Sequence, residues 1–317
     1  MIPINPKAQN PFWENSARDL LLACMLHYYK DGSRSLISIA DEITSKPIND
    51  IINDIASSSG DDTPEHKIIS RYVGMADETL SGINAQMSSS LSLFITDSDI
   101  RYMLRDNPNK ANPSMLSNGF SVYLSIAEHK LSEYSRLLHL IINQTISEME
   151  QRSEDSFPTL ILIDELARIL SSGRIYKLEN SLETLRSRKA TVMLISQSLD
   201  AIQRAYQKPE VEGMLQNCPY KIILSSSSKD TTDSVIRWAG KFKCDRYSHG
   251  RSGHGYSRNI SYEDKPRVES SDLITLPSKD EVIIITPYGY NRVKKVKYYN
   301  DSTLSKISKE VQQSWKH

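Results

Sequence analysis

An apolar run that ends in two acids has the composition of half a nucleotide-hydrolysing site. Thr159-Leu-Ile-Leu-Ile-Asp-Glu165 reads as a buried strand followed at once by two carboxylates. Ligands of open α/β sheets bind beyond the carboxyl ends of the strands. An Asp there can hold the hydration shell of a nucleotide-bound Mg²⁺, and a Glu beside it can orient and polarise the attacking water. The alternative is a strand that closes in a solvated acidic turn. Thr191-Val-Met-Leu-Ile-Ser-Gln197 repeats the shape and ends in an amide. Gln197 could sense a γ-phosphate or the attacking water, or simply bond a nearby loop. Eleven residues earlier Arg186 lies in LETLRSRKA. It reads either as a solvated helix residue or as a finger on a neighbouring subunit's nucleotide.

The other half of such a site is a phosphate loop, G-x-x-x-x-G-K-[ST], whose backbone N–H groups and Lys cradle the phosphates. Gly250-Arg-Ser-Gly-His-Gly-Tyr-Ser257 has the glycine spacing, but Tyr256 stands at the Lys position. No apolar strand precedes it, and it follows the acids in sequence. We read it as a coincidental match. The same stretch interleaves Arg246, Arg251 and Arg258 with Tyr247, Tyr256 and Tyr262. Arg and Tyr together suit single-stranded DNA through phosphate contact and base stacking; a polar loop is the preferred reading. Cys244, His249 and His254 lack a fourth ligand, so no metal site is expected.

The elements that would position these residues fall into two rhythms. Residues 1–14 read as a linker and 15–110 as an all-α domain, with helices over Leu36–Ile43, Ile48–Ile55 and His66–Ser90 and breaks at Pro47 and Ser57–Pro64. From 111 to 300, strands alternate with helices. The strands are expected at Ser121–Ile126, Thr159–Ile163, Thr191–Ile195, Tyr220–Leu224 and Glu281–Thr286. The helices are expected at Leu131–Glu150, Tyr176–Arg188 and Thr231–Lys241. That alternation predicts an α/β fold with a parallel sheet covered on both faces. Cys244–Asp264 reads as a mobile loop. Arg292, Lys294, Lys295 and Lys297 read as a solvated edge strand, and 301–317 as a tail.

The 317 residues carry 39 Lys and Arg against 39 Asp and Glu, so nucleic acid or anionic lipid would have to be drawn by local patches. Three dispersed cysteines, Cys24, Cys218 and Cys244, suit a reducing cytoplasm. No apolar run approaches the roughly 18–20 residues of a membrane span, and the N-terminus has no signal-peptide pattern. These features predict a cytoplasmic, soluble chain.

TLILIDELARI, LETLRSRKATVMLISQSLDAI and LQNCPYKIILSSSSKDTTDSVIRWAGK together resemble the coupling-protein ATPases of type IV secretion and conjugation, the VirD4/TraD/TraG family. NPFWENSARDLLLACMLHYY resembles the opening of that family's all-α domain. FSVYLSIAEHKLSEYSRLLHLIINQTI and DLITLPSKDEVIIITPYGYNRVKKVKYYND resemble its motor-domain re-entry and closing strands. The resemblance implies a partial RecA-like P-loop NTPase sheet preceded by an all-α domain. It places Asp164 and Glu165 at the Walker B acids, and Gln197 and Arg186 at the family's glutamine and preceding arginine. It implies ATP and Mg as cofactors, provided a phosphate loop comes from elsewhere. The implied partners are relaxase or relaxosome proteins, single- or double-stranded DNA and secretion-channel components. The implied state is a homo-hexamer or a pairing with a separate N-terminal half, at the cytoplasmic face of the bacterial inner membrane. In the family the membrane hairpin and phosphate loop precede the all-α domain, so this sequence reads as the part after them. Two rival readings stand: a non-enzymatic module binding relaxosome or DNA, and a DNA pump of the FtsK or HerA type. The all-α segment ahead of the acids argues against the second.

Overall fold

In a computed structural model of the chain, the described residues are 2, 11–30, 34–105, 111–252 and 255–314, with the side chains of 247–252 and 255–260 outside the description. The chain divides into two compact units, residues 1–159 with 171–175, and 160–170 with 176–317.

The first unit is helical: α1 Phe12–Tyr28, α2 Leu36–Ser45, α3 Ile48–Ser58, α4 Pro64–Ile69, α5 Asp77–Thr96, α6 Ser98–Leu104, α7 Ser114–Ser117 and α8 Ser135–Gln151. Helical periodicity gathers one core from these elements. Leu20 and Cys24 of α1, Ile39 and Ile43 of α2, Ile51 and Ile55 of α3, and Ile83, Met87 and Phe94 of α5 are all buried. Caps set the boundaries: Ser35 accepts from Ser38 N at 3.2 Å, and Asp97 accepts from the N–H groups of Asp99 and Ile100 at 2.9 Å each. The helix expected over His66–Ser90 is two helices, broken at Gly74, whose φ is +75°. Gly82 sits inside α5 where the Trp13 ring closes on it; a Cβ there would lie 2.7 Å from that ring. Ser121–Ile126 forms no strand. Its backbone has no ladder partner among the described residues, and Tyr123 is 88% exposed. Apolar alternation alone does not make a strand when no second strand meets its N–H and C=O groups.

The second unit holds the strands and the remaining helices. In order these are β1 Thr159–Ile163, α9 Leu166–Ile169, α10 Tyr176–Ser181, β2 Ala190–Leu194, α11 Leu199–Gln203, α12 Lys208–Gln216, β3 Lys221–Ile223, α13 Lys229–Ala239, β4 Lys241–Ser252, β5 Gly255–Pro266, α14 Ser270–Thr275, β6 Glu281–Thr286, β7 Gly289–Lys294 and α15 Ser302–Ser314. β1 pairs with β2, while β3, β6 and β7 form a separate antiparallel sheet with Ile222 opposite Ile284. The expected single parallel sheet is therefore only partly present. Cover is also one-sided: Leu160 and Leu162 on β1 are 57% and 51% exposed, and Ile222 on β3 is 57% exposed. A second core joins Val235 of α13, Leu273 of α14 and Ile283 and Ile285 of β6.

Cys244–Asp264 is a correction: it lies within a long hairpin, β4 against β5, in continuous register from Lys241↔Pro266 to Ser252↔Gly255. The expected helix over Tyr176–Arg188 is also shorter, ending at Ser181 and continuing as turns through Lys189, which adopts φ +53°.

Candidate nucleotide site

The two acids stand where β1 stops. Ile195 N–H donates to the Ile163 carbonyl and Leu166 N–H donates to the Ile195 carbonyl, both at 3.0 Å. Ile195, the residue after β2, thus bonds the last residue of β1 and the first residue of α9. Glu165 turns the chain out of the sheet with φ +52° and ψ +42°, and its N–H bonds Asp164 Oδ1 at 3.0 Å. Left-handed backbone at a non-glycine residue costs roughly 1–2 kcal/mol, and the turn holds the exposed Asp164 and half-buried Glu165 at the strand end. Asp164 keeps its second carboxylate oxygen free of any hydrogen bond among the described residues.

The Ile195 bonds bring the end of β2 beside these acids. Ser196 Oγ donates to the Ser198 carbonyl at 3.1 Å, bracketing the exposed Gln197 in a turn. Arg186 is exposed in the turns before β2, and no contact joins it to Asp164, Glu165 or Gln197 among the described residues. Arg246 is exposed on β4; the side chains of Arg251, Tyr256 and Arg258 lie outside the described residues, as do those of His249 and His254. Among the described residues no group of three or more His, Cys, Asp or Glu is placed to hold a metal.

The sequence reading missed what anchors the glutamine turn. Leu199 N–H donates to Thr231 Oγ1 at 3.0 Å, and Ser228 Oγ makes a short hydrogen bond to Asp200 Oδ2. Ser228 also caps α13, accepting from Thr231 N at 3.3 Å. The loop after β2 is thereby tied to the loop after β3. The serine run Ser225–Ser228 ahead of the helical run was the available signal, since a Ser immediately before a helix caps its first N–H groups.

Two acids and an amide thus stand on adjacent strand ends. The 317 residues contain no G-x-x-x-x-G-K-[ST]. The fold is that of a RecA-like P-loop NTPase. Over 93% of this chain and 66% of the other, it superposes on the bacterial conjugative coupling protein TrwBdeltaN70 in its unbound form, with a TM-score of 0.70 at 16% identity. TrwB in complex with the ATP analogue ADPNP gives 0.69 at 16%, and TrwB with ADP and Mg²⁺ gives 0.67 at 17%.

The chain matches the family described as type IV secretory system conjugative DNA transfer over residues 1–317, and it belongs to that family. The protein VirD4 of Rhizobium rhizogenes is 23% identical over 195 residues, 59% of this chain and 28% of that protein. VirD4 of Rhizobium radiobacter is 22% identical over 318 residues, 92% of this chain and 43% of that protein. The chain spans less than half the length of these relatives. No helix among the described residues is long and apolar enough to cross a membrane.

Proposed function

We propose that this chain forms the recognition and Walker B portion of a coupling protein, one that links a relaxase–DNA complex to a type IV secretion channel at the cytoplasmic face of the bacterial inner membrane. The observation that carries this reading is the placement of Asp164 and Glu165 on the strand end beside Gln197, in a chain whose family match is continuous. Asp164 would hold the hydrated Mg²⁺ of ATP, Glu165 would orient the attacking water, and Gln197 would sense the γ-phosphate. Arg186, exposed and without a partner among the described residues, would reach the nucleotide of a neighbouring subunit in a homo-hexamer. Hydrolysis requires a phosphate loop from residues outside these 317 or from a separate N-terminal half.

The test is Glu165→Gln in the native gene. Loss of a positioned base costs about 10²–10⁴-fold, so DNA transfer between cells should fall by that order with the protein level unchanged on immunoblot. Transfer at the wild-type frequency would remove Glu165 from the mechanism.

A second reading, recognition without hydrolysis, is favoured by one charge asymmetry. Residues 12–104 carry 14 acids and 7 Lys or Arg, a net −7, and the remainder of the chain carries the balancing +7. A net-acidic helical domain repels phosphate and attracts a basic protein partner such as a relaxase surface. Partner binding that is indifferent to Mg-ATP would support this reading over the first.

A further inference from the structure

We infer that Thr231 and Asp200 are positioning residues for Gln197: a closed ring of hydrogen bonds fixes the backbone turn that aims the Gln197 amide beside the acids. The inference rests on the reading of Gln197 as the γ-phosphate sensor and adds the groups through which that sensor is held.

Gln197 is exposed and its side chain makes no hydrogen bond among the described residues, so its aim is set by the backbone on either side of it. Upstream, the turn is fixed to the acids: Ile195 N–H donates to the Ile163 carbonyl, and the Ile195 carbonyl accepts from Leu166 N–H, both at 3.0 Å. Downstream, the anchor comes from a different element. Ser198 is the N-cap of α11, with extended backbone at φ −156° and ψ 160°, yet its hydroxyl makes no capping bond. The first N–H of that helix instead donates to Thr231 Oγ1, 32 positions away, at 3.0 Å. A helix start commonly satisfies its orphan N–H groups with its own N-cap side chain; here α13 supplies the acceptor.

That acceptor is itself held. Thr231 N–H donates to Ser228 Oγ at 3.3 Å, and the Ser228 hydroxyl donates to the Asp200 carboxylate. The ring closes because Asp200 follows Leu199 in the chain: Leu199 to Thr231, Thr231 to Ser228, Ser228 to Asp200, and back through one peptide bond. Its surroundings are packed. Thr232 Oγ1 donates to Ser226 Oγ at 3.4 Å, both residues being buried, and Ser226 Oγ donates to the Ser228 carbonyl at 3.4 Å. Ala201 and Ile202 of α11 and Val235 of α13 are buried as well. A reacting amide needs its place fixed to within about 0.5 Å, and an exposed glutamine without bonds of its own cannot supply that. The ring supplies it through the turn, so Thr231 and Asp200 act on the nucleotide only by way of Gln197.

The experiment is DNA transfer between cells carrying variants of the native gene, with protein level followed by immunoblot. Thr231→Val removes the acceptor and keeps the shape; Thr231→Ser keeps the acceptor. A distant substitution that misplaces a reacting group by about 1 Å costs about 10²-fold, so Thr231→Val should lower transfer about tenfold or more and Gln197→Ala about 10²-fold, while Thr231→Ser stays within about threefold of wild type. The double variant Gln197→Ala with Thr231→Val should transfer no worse than Gln197→Ala alone, because a residue that works only through Gln197 has nothing left to position. A merely structural threonine would add its own loss to that of the glutamine variant, and such additivity would overturn the proposal. Asp200→Ala, read in the same way, serves if Thr231→Val is scarce on the immunoblot; scarcity of both would make the ring structural and also overturn it. So would a Thr231→Ser variant as poor as Thr231→Val. Wild-type transfer by Thr231→Val and Asp200→Ala, with Gln197→Ala impaired, would overturn the positioning role and leave the sensor reading standing. Wild-type transfer by Gln197→Ala would overturn both.

Discussion

Glu165 holds a backbone conformation that glycine takes freely and other residues take at a cost of roughly 1–2 kcal/mol. Strain of this kind collects at functional sites. Glu165→Gly should therefore unfold no more easily than wild type in urea, with a gain up to about 1 kcal/mol, whereas Glu165→Gln should change stability by less than about 0.5 kcal/mol. A loss above about 1 kcal/mol in the glycine variant would mean that the carboxylate itself stabilises the turn. The cysteines give a second residue-scale test. Burial in the helical core pushes the Cys24 thiol up to about 12, so it is neither exposed nor ionised near neutral pH. In native protein at pH 8 a thiol reagent should spare Cys24 while labelling Cys244 on the hairpin; early modification of Cys24 would show that α1 opens locally.

At the scale of elements, α6 is fixed by one carboxylate. Asp97 caps the helix and also accepts from Tyr134 Oη at 2.7 Å, and the backbone bond from Ile100, then that from Tyr134, lower its pKa. Asp41 is lowered likewise, by the Arg101 guanidinium that bonds both its oxygens. Because both folded values lie below the unfolded value of about 3.9, this stability is complete above that pH and is lost as pH falls through the folded values. Asp97→Ala should cost about 1 kcal/mol at neutral pH and flatten the acid limb of a urea-midpoint curve; an unaltered limb would place the acid lability elsewhere. Gly82→Ala sets helix propensity, worth about 1 kcal/mol, against the close Trp13 ring, and overpacking of about 1–3 kcal/mol should win. The net effect is a loss of about 1 kcal/mol with altered tryptophan fluorescence.

The strands at Thr159, Thr191, Tyr220 and Glu281 were legible because short apolar runs ending in polar residues carry their own signal. The long hairpin was not legible: Gly, Ser and His dilute strand propensity, and its stability comes from cross-strand pairing that a linear pattern does not contain. Ser121–Ile126 failed in the opposite sense, with strand-like residues and no partner. The acids and Gln197 could be read from sequence. The ties from Leu199 to Thr231 and from Asp200 to Ser228 could not, because they join residues 32 and 28 positions apart.

For the whole molecule, the uncovered apolar side chains at β1, β2 and β3 predict association. Leu160, Leu162, Met193, Ile195 and Ile222 are all exposed, and exposed apolar patches mark interaction sites. Size-exclusion chromatography with light scattering should show mass rising with concentration, and Leu162→Lys should reduce it. A stable monomer of the unaltered chain at all concentrations would sink this prediction. The charge division has its own consequence: partner binding through the net-acidic helical unit should weaken with salt.

The hydrogen bonds that tie the glutamine turn to the start of α13 make that helix a bridge between the turn and the hairpin. Ser228 caps one end of α13, and the other passes through Gly240, whose carbonyl accepts from Arg267 N–H, into the root of the hairpin. The helix is about 16 Å long, at 1.5 Å per helical residue, and the ribbon beyond it is about 40 Å, at roughly 3.3 Å per strand residue. The glutamine turn is thus joined through one helix to the root of the hairpin, and Thr231→Val, which cuts one of the ties, would slacken that connection.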